Sequence, residues 1–166
     1  MRNRAFLALG SNIEPETNLP RCVALLRERC RVLAVSRVYE TAPVGFTEQA
    51  NFLNAAVLVE TSRGPAELKT DVLADVEKRL GRVRTENKNA SRTIDVDIAL
   101  FNEDVLEVGA RRIPDPDILA YGHVALPLAD LAPDYRHPET GQTLAEIAAP
   151  FASDPALRLR PDVDLA

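Results

Sequence analysis

The sequence contains no tryptophan, one methionine, two histidines and two cysteines among its 166 residues. Aromatic residues make up only 5% of the chain, which is few for a protein that stacks nucleic-acid bases on its strands. The two histidines, His123 and His137, stand far apart and show no serine–aspartate or cysteine partner pattern. A nucleophilic triad is therefore not indicated.

The two cysteines, Cys22 and Cys30, both fall in a predicted helix. Eight helical residues rise roughly 12 Å, which is too far for a disulfide within that helix. Neither cysteine has partners at metal-ligand spacing. We interpret both as small residues of the core or its boundary.

Long hydrophobic runs are absent, and no stretch is long enough to span a bilayer. The N-terminal stretch MRNRAFLALGSN is apolar over too short a length for a secretory signal, so we expect a cytoplasmic protein. A net charge of −5 argues against a surface that binds nucleic acid. Hydrophobic residues at 46% and charged residues at 27% are typical of a folded chain, here predicted as one domain over residues 1–166.

Glycine is scarce as well, with seven residues, and the chain has no glycine-rich phosphate loop. The run Gly10–Ser11–Asn12 lacks a lysine and a second glycine at the required spacing, so we interpret it as the turn that ends a strand.

Alternating and helical patterns predict six elements in the order βαββαβ. The predicted strands are residues 4–10, 31–41, 52–61 and 91–102, and the predicted helices run from Pro20 to about Arg29 and from about Pro65 to Leu80. A short strand near 110–113, a proline-rich turn, a short helix near 126–131 and a polar tail follow. This order predicts a ferredoxin-like α+β fold: an antiparallel sheet with the helices on one face, and a C-terminal extension.

Two aspartates share one face of the last of these strands, SRTIDVDIALFN. Ile94, Val96 and Ile98 alternate with Asp95 and Asp97, so an aliphatic face opposes a carboxylate face. Like charges on one face repel, and carboxylates are rarely left unpaired inside a protein. Mg²⁺ takes one or two carboxylates and completes its shell with water and phosphate oxygens. The pair is consistent with a metal that carries a polyphosphate.

Arginines cluster just before that strand. Arg82 and Arg84 lie on one side of an extended GRVR segment, and Arg92 follows. Arginine matches phosphate geometry, and Mg²⁺ beside arginine is typical of phosphoryl transfer. An ion-pair network between these arginines and the aspartates on a solvated sheet face would give the same pattern. The residues alone leave both interpretations open.

Phe52 and Asn54 share one face of the third predicted strand. Strands disfavour asparagine, so Asn54 is a candidate for binding a planar polar heterocycle, with Phe52 stacking on it. Core packing is the simpler explanation for Phe52. Glu77 stands five residues before Arg82, and neither it nor His123 receives a role from pattern alone.

Together these motifs resemble the 6-hydroxymethyl-7,8-dihydropterin pyrophosphokinases of folate biosynthesis. The resemblance runs from ALGSNI through YETAPVG, FLNAAV, GRVR and RTIDVDIALF to IPDPD and LPLADLAP. It implies the ferredoxin-like fold and a reaction in which the β,γ-pyrophosphate of ATP passes to the pterin hydroxymethyl oxygen and AMP leaves. The implied cofactors and partners are two Mg²⁺ ions, ATP and the small-molecule pterin.

The resemblance also implies roles for the residues at matching positions. The implied catalytic residues are Arg82, Arg92, Asp95 and Asp97, of which the two aspartates would bind both metal ions. The implied pterin-pocket residues are Thr41, Pro43, Phe52 and Asn54. Glu77 would lie beside the adenine nucleotide, and Arg84 would belong to the loop between the two arginines.

The chain departs from the usual family pattern at five positions. Lys88 stands where the family has an arginine, and Asn89 where it has an aromatic residue. Asp115 replaces a histidine that helps hold the nucleotide, and Tyr121 replaces an arginine. His123 stands where an aromatic ring would stack on the pterin. We therefore predict Lys88, Asp115 and Tyr121 on the nucleotide side and His123 on the pterin side.

Three alternatives accompany this prediction. The same chemistry could act on a different pterin, given the departures just named. An RNA-binding module of the same fold is disfavoured by the acidic strand face and the scarce aromatic residues. A non-catalytic ligand-binding relative is disfavoured by retention of both aspartates, because unpaired buried carboxylates cost stability without a cation.

Overall fold

The computed structural model describes residues 2–42, 50–83 and 91–166. Its strands are β1 (Asn3–Ser11), β2 (Arg31–Val35), β3 (Tyr39–Thr41), β4 (Phe52–Thr61), β5 (Asp95–Phe101), β6 (Leu106–Val108), β7 (Arg111–Ile113) and β8 (Arg158–Leu159). Its helices are α1 (Pro15–Arg29), α2 (Pro65–Glu67), α3 (Ala74–Arg79), α4 (Asp117–Ala120), α5 (Gly122–Leu131) and α6 (Leu144–Ala148). A π-helical segment, Leu68–Leu73, joins α2 to α3, and a 3₁₀ turn, Ala149–Phe151, follows α6.

The main sheet has the strand order β5-β1-β4-β3-β8, and β2 also pairs with β4. Every pairing in it is antiparallel. Strands β1, β2 with β3, β4 and β5 alternate with α1 and the α2–α3 helix in the order βαββαβ. The predicted ferredoxin-like α+β fold is therefore confirmed. Strands β6 and β7 form a separate hairpin.

Each face of the sheet carries its own apolar core, because successive strand residues point to opposite sides. Leu7 and Leu9 of β1 pack with Leu26 of α1 and with Val76 of α3 on the first face. The two helices of the βαββαβ unit thus share one face, as predicted. On the second face, Phe6 of β1 packs with residues of α4, α5 and α6, so the C-terminal extension covers it.

A bulge interrupts the pairing of β1 with β5. Leu7 pairs with Ile98, whereas the preceding residue, Phe6, pairs with Leu100, so Ala99 is an extra residue. Ala99 and Leu100 both lie in the second core, and Phe101 returns to the first. The bulge therefore changes which face successive residues of β5 occupy.

Helix α1 begins at Pro15, so its predicted start at Pro20 was wrong. Proline suits the first helical position, because its missing N–H would have no partner there. Pro20 lies inside the helix. There it removes one internal hydrogen bond, and the buried stripe of α1, which includes Leu19, Val23 and Leu26, compensates for that loss.

Two predicted strands are shorter than the pattern indicated. Residues 31–41 divide into β2 and β3. Between them, the Ser36 hydroxyl replaces a backbone carbonyl and accepts from the Ala56 N–H at 2.7 Å, so the regular backbone pairing is interrupted. Strand β5 begins at Asp95 rather than at residue 91. Before it, the Arg92 N–H donates to Asn12 Oδ1 at 2.8 Å, and the Asn12 N–H donates to the Arg92 carbonyl at 3.1 Å.

The tail after residue 131 was predicted only as polar, and that prediction was wrong. It forms α6, which a reciprocal capping pair between Thr143 and Glu146 begins. It also contributes β8, and its last apolar residues, Val163 and Leu165, are buried in the first core. Within the described part of the chain, no helix is long and apolar enough to cross a membrane.

Candidate active site

One row of paired residues runs across β5, β1, β4 and β3 on the second face of the sheet. Gly10 of β1 pairs with Asp95 of β5 on one side and with Asn54 of β4 on the other. Asn54 pairs in turn with Tyr39 of β3. Because these strands are rigid and hydrogen-bonded to each other, a carboxylate and an amide are held at fixed positions on either side of a glycine.

A cavity of about 270 Å³ lies above this row. The described residues that line it are Gly10, Thr41, Ala42, Phe52, Asn54, Arg92, Asp95, Asp117, Tyr121 and His123. A Cβ at position 10 would lie 3.6 Å from Asn54 Oδ1 and 3.8 Å from the Phe52 ring. The glycine thus leaves open the space between the carboxylate and the amide.

The amide of Asn54 is oriented by two hydrogen bonds. Its Nδ2 donates to the Tyr39 carbonyl at 3.2 Å and to Thr41 Oγ1 at 2.9 Å. Both amide N–H groups are used in this way, so Oδ1 is the atom that lies over Gly10. Asn54 therefore presents a hydrogen-bond acceptor to the cavity.

Arg92 contacts both the Phe52 side and the Asp95 side of the cavity. Its guanidinium carbon lies 5.5 Å from the centre of the Phe52 ring, which is within cation–π distance. Its Nη1 lies 3.6 Å from Asp95 Oδ2. Asn12, which is buried, holds the Arg92 backbone and also donates to the Ala50 carbonyl at 3.1 Å. Sequence reasoning treated Asn12 only as part of a turn.

Asp95 is paired with Arg82, a partly buried arginine that is not among the described residues lining the cavity. Arg82 Nη1 lies 2.7 Å from Asp95 Oδ1 and 2.9 Å from Glu77 Oε2. Glu77 is itself buried, and its Oε2 also accepts from the Val96 N–H at 2.9 Å. Glu77 thus connects α3 to β5 and lies away from the cavity lining. Its predicted place beside the nucleotide stays a prediction.

Asp97 lies two residues further along β5, opposite Ala8 of β1, and contacts a residue that the sequence reasoning missed. Its Oδ1 lies 2.8 Å from Arg111 Nη2 of β7. Arg111 Nη1 lies 3.7 Å from Asp115 Oδ2 as well, so one arginine faces both carboxylates. The only sequence signal was the strand predicted near 110–113, to which no chemical role was given.

The two aspartates differ in their pKa values. Burial raises the pKa of Asp95, but the hydrogen bond and charge of Arg82 outweigh it, and the net pKa lies below the ordinary value. Burial and the neighbouring charge of Asp95 raise the pKa of Asp97 to about 7. Two partly buried carboxylates on one strand face thus repel each other, and a bound cation would remove that repulsion.

These residues fit a magnesium ion that arrives with a polyphosphate. No cluster of three or more histidine, cysteine, aspartate or glutamate side chains occurs among residues 2–42, 50–83 and 91–166. The described part of the chain therefore supplies two carboxylates and no complete cage. That donor set suits Mg²⁺, which keeps water and substrate phosphate oxygens in its shell.

Another wall of the cavity comes from the start of the C-terminal extension. The rings of Tyr121 and His123 lie 5.3 Å apart at an angle of 34°. Burial lowers the pKa of His123, so the neutral imidazole is favoured, while the charge of Asp117 opposes this. Asp115 is buried in the preceding turn and accepts from the Asp117 N–H at 2.9 Å.

The cavity brings together most of the pterin-side residues predicted from the sequence, but not every predicted residue. Arg82, Asp97 and Asp115 lie beside it in the ion-pair network. Pro43, Arg84 and Lys88 lie outside the described residues, as does Asn89. Gly10, Ala42 and Asp117 line the cavity without having been predicted. Asp117 could have been found from its place two residues after Asp115.

Residues 6–133 match the sequence model of the 7,8-dihydro-6-hydroxymethylpterin-pyrophosphokinase family. The chain is 43% identical over 134 residues to a 2-amino-4-hydroxy-6-hydroxymethyldihydropteridine pyrophosphokinase of Bacillus subtilis, and the match covers 79% of each chain. It is 36% identical to the protein of that name from Pseudomonas aeruginosa, over 91% of this chain and 94% of that relative.

A solved structure of Plasmodium falciparum HPPK-DHPS with pteroate has a similar fold, with a TM-score of 0.71 at 15% identity. The similarity covers 92% of this chain and 43% of the Plasmodium chain. Paired carboxylates and arginines beside a cavity are typical of a phosphoryl-transfer enzyme, and the names of the Bacillus and Pseudomonas relatives agree with that class. The chain belongs to the 7,8-dihydro-6-hydroxymethylpterin-pyrophosphokinase family. The family predicted from the motifs is confirmed.

Proposed function

We propose that this chain transfers pyrophosphate from ATP to the hydroxymethyl group of 6-hydroxymethyl-7,8-dihydropterin, with release of AMP, in folate biosynthesis. The observation that carries the proposal is the cavity in which the Asn54 amide and the Asp95 carboxylate flank Gly10. The names of the Bacillus and Pseudomonas relatives support the same acceptor. We place the protein in the cytoplasm as one domain over residues 1–166.

The pterin would lie on the β3–β4 side of the cavity. Asn54 Oδ1 accepts from its ring N–H groups, and Thr41 keeps the amide in that orientation. Phe52 stacks against the heterocycle, and His123 faces it from the opposite wall. Pro43 is assigned to the same pocket from its position in the sequence.

Asp95 and Asp97 would hold two Mg²⁺ ions. When bound, the metal neutralises the charge of the polyphosphate oxygens and acidifies the acceptor hydroxyl. Arg82 fixes the Asp95 carboxylate by a 2.7 Å ion pair, so this ligand is already oriented. No histidine base is required in this scheme.

Arg92 is suited to act between the two substrates, because it lies over Phe52 and beside Asp95. There its guanidinium stabilises negative charge on the transferred group. We assign the nucleotide to the side of Tyr121 and Asp115, with Glu77, Arg84 and Lys88 as further contacts. Tyr121 lines the cavity, and Asp115 is linked to Asp97 through Arg111.

A second candidate keeps the chemistry and changes the acceptor to another pterin. The specific observation in its favour is that His123 and Asp117 together form part of the cavity wall. An imidazole and a carboxylate can hydrogen-bond to substituents that an aromatic ring would only stack on.

The test is AMP release from ATP and Mg²⁺ with and without 6-hydroxymethyl-7,8-dihydropterin. We expect AMP to depend on the pterin and Asp97→Ala to abolish turnover. The same variant should stay folded, with equal or slightly higher stability, because it removes a carboxylate that Asp95 repels. A folded wild-type protein that releases no AMP with this pterin contradicts the proposed acceptor. Normal turnover by Asp97→Ala contradicts the metal assignment.

A further inference from the structure

The last eighteen residues, 149–166, cross from one wall of the cavity to the other, and we call them the C-terminal strap. They begin with the 3₁₀ turn Ala149–Phe151 after α6 and include β8. They lie outside the residues 6–133 that match the family. Nothing in the proposed chemistry uses them, although they contact both walls.

The first contact is with the wall that carries Tyr121 and His123. Gly122, between these two residues, is packed so closely that a Cβ there would lie 2.6 Å from Leu157 Cδ1 and 2.8 Å from Phe151 Cβ. Contacts that short do not occur without movement of the neighbouring atoms. The strap therefore fixes how far the start of α5 can move away from the sheet.

The second contact is with strand β3, on the side that does not pair with β4. Leu159 pairs with Tyr39, and Arg158 pairs with Glu40. The Arg160 N–H also donates to the Val38 carbonyl at 2.9 Å. The backbone of the strap thus completes the hydrogen bonding of the strand that ends at Thr41, the residue that orients Asn54.

Arg160 is the centre of the strap's polar contacts. Its guanidinium lies 2.8 Å from Glu40 Oε1, 3.3 Å from Glu16 Oε2 and 2.8 Å from Asp162 Oδ2. The other oxygen of Glu40 accepts from Asn51 Nδ2 at 3.0 Å, directly before Phe52. The bonds from Asn51 and Arg160 keep the pKa of Glu40 below its ordinary value.

We propose that the C-terminal strap sets the width of the acceptor site, with Arg160 as a positioning residue that acts on Phe52 and Asn54 through Glu40 and β3. The strap holds β3 at one side and the start of α5 at the other, so the distance between the stacking walls depends on it. This inference deepens the proposed function and rests on it for the identity of the acceptor.

The test compares Arg160→Ala with Arg158→Ala, which removes an exposed arginine two residues earlier in the same strap. Arg160→Ala should raise KM for the pterin about tenfold, while kcat and KM for ATP stay unchanged. Arg160→Lys should restore part of the pterin affinity, and Arg158→Ala should behave as wild type. An unchanged pterin KM in Arg160→Ala overturns the proposal, as does a parallel change in both KM values.

Hydrogen exchange separates this inference from the proposed function. If the wild-type protein shows no pterin-dependent turnover, the proposed acceptor fails, but the strap can still be judged without substrate. Faster amide exchange at residues 38–42 in Arg160→Ala than in Arg158→Ala then supports positioning of β3. Equal exchange in the two variants overturns it.

Discussion

The floor and the wall of the cavity are built in different ways. The floor is the row Asp95, Gly10 and Asn54 on the neighbouring strands β5, β1 and β4, whose backbones are paired along most of their length. The wall, Asp117, Tyr121 and His123, lies on α4, on α5 and on the extended residue between them, and Gly122 within it packs closely against the C-terminal strap. Residues on paired strands are held more precisely than residues outside regular structure, and the wall includes such a residue, Tyr121. Under the proposed function, the floor therefore carries the chemistry and the wall adjusts the choice of acceptor.

Among the variants that compare the floor with the wall, Asn54→Ala should give the largest effect, because it removes the acceptor that two hydrogen bonds orient on the pterin side of the floor. We expect kcat/KM for the pterin to fall about 100-fold, with the ATP-binding affinity retained. Thr41→Val, which removes only the hydroxyl that orients the amide, should cost about tenfold or less. Steady-state kinetics with varied pterin measure both effects.

Asn3→Ala is the matched control, because Asn3 lies at the opposite end of β1 and donates to the Arg63 carbonyl. It should leave kcat/KM unchanged. If Asn54→Ala lost no more activity than Asn3→Ala, the floor would have no special role in the reaction, and the contrast between floor and wall would be wrong.

Replacement of Gly122 by alanine tests the wall, and we expect an effect of intermediate size. The new Cβ collides with Leu157 and Phe151, so we expect a loss of about 1–3 kcal/mol in the free energy of unfolding. Denaturant unfolding measures this loss. The double variant Gly122→Ala with Leu157→Ala should recover part of it, because the shortest contact is with Leu157 Cδ1. No recovery, or no loss in the single variant, would show that the strap does not press on α5.

The smallest effect is expected for His123→Phe. Because burial lowers the pKa of His123, the unfolded chain binds the proton more readily, and the native state loses stability as pH falls through about 6.5. The His123→Phe variant has no imidazole and therefore does not lose stability in this way. Its stability relative to wild type should therefore rise between about pH 7.5 and about pH 5.5. A difference that stays constant over this range would contradict a buried neutral imidazole. KM for the pterin should change by a few-fold at most.

The carboxylate and the amide of the floor could be predicted from the sequence, because a period-two pattern is a local signal, whereas Gly10 between them was interpreted only as part of a turn. Asp95 and Asp97 opposite Val96 and Ile98, and Asn54 in the middle of a strand, each mark a face without reference to any distant residue. The same reasoning gave no role to Arg111, since its contact with Asp97 depends on how the β6–β7 hairpin folds back.

The wall and the strap could not be predicted, because contacts between distant parts of the chain define them. The close packing of Gly122 against Phe151 and Leu157 joins residues about thirty positions apart and leaves no periodic trace. Val163 and Leu165 enter the first core from a segment that is otherwise polar. In such a segment, isolated apolar residues resemble ordinary surface positions.

The bulge at Ala99 makes the length of β5 as important as its composition. Before the bulge, odd-numbered residues place carboxylates on the cavity face, and after it Phe101 packs into the opposite core. Loss of one residue there would force a choice between turning Asp95 and Asp97 into the apolar core and exposing the end of the strand. A single amino-acid replacement in this strand can affect the core or the site to a small or a large extent, whereas a one-residue deletion would disrupt the core and the site together.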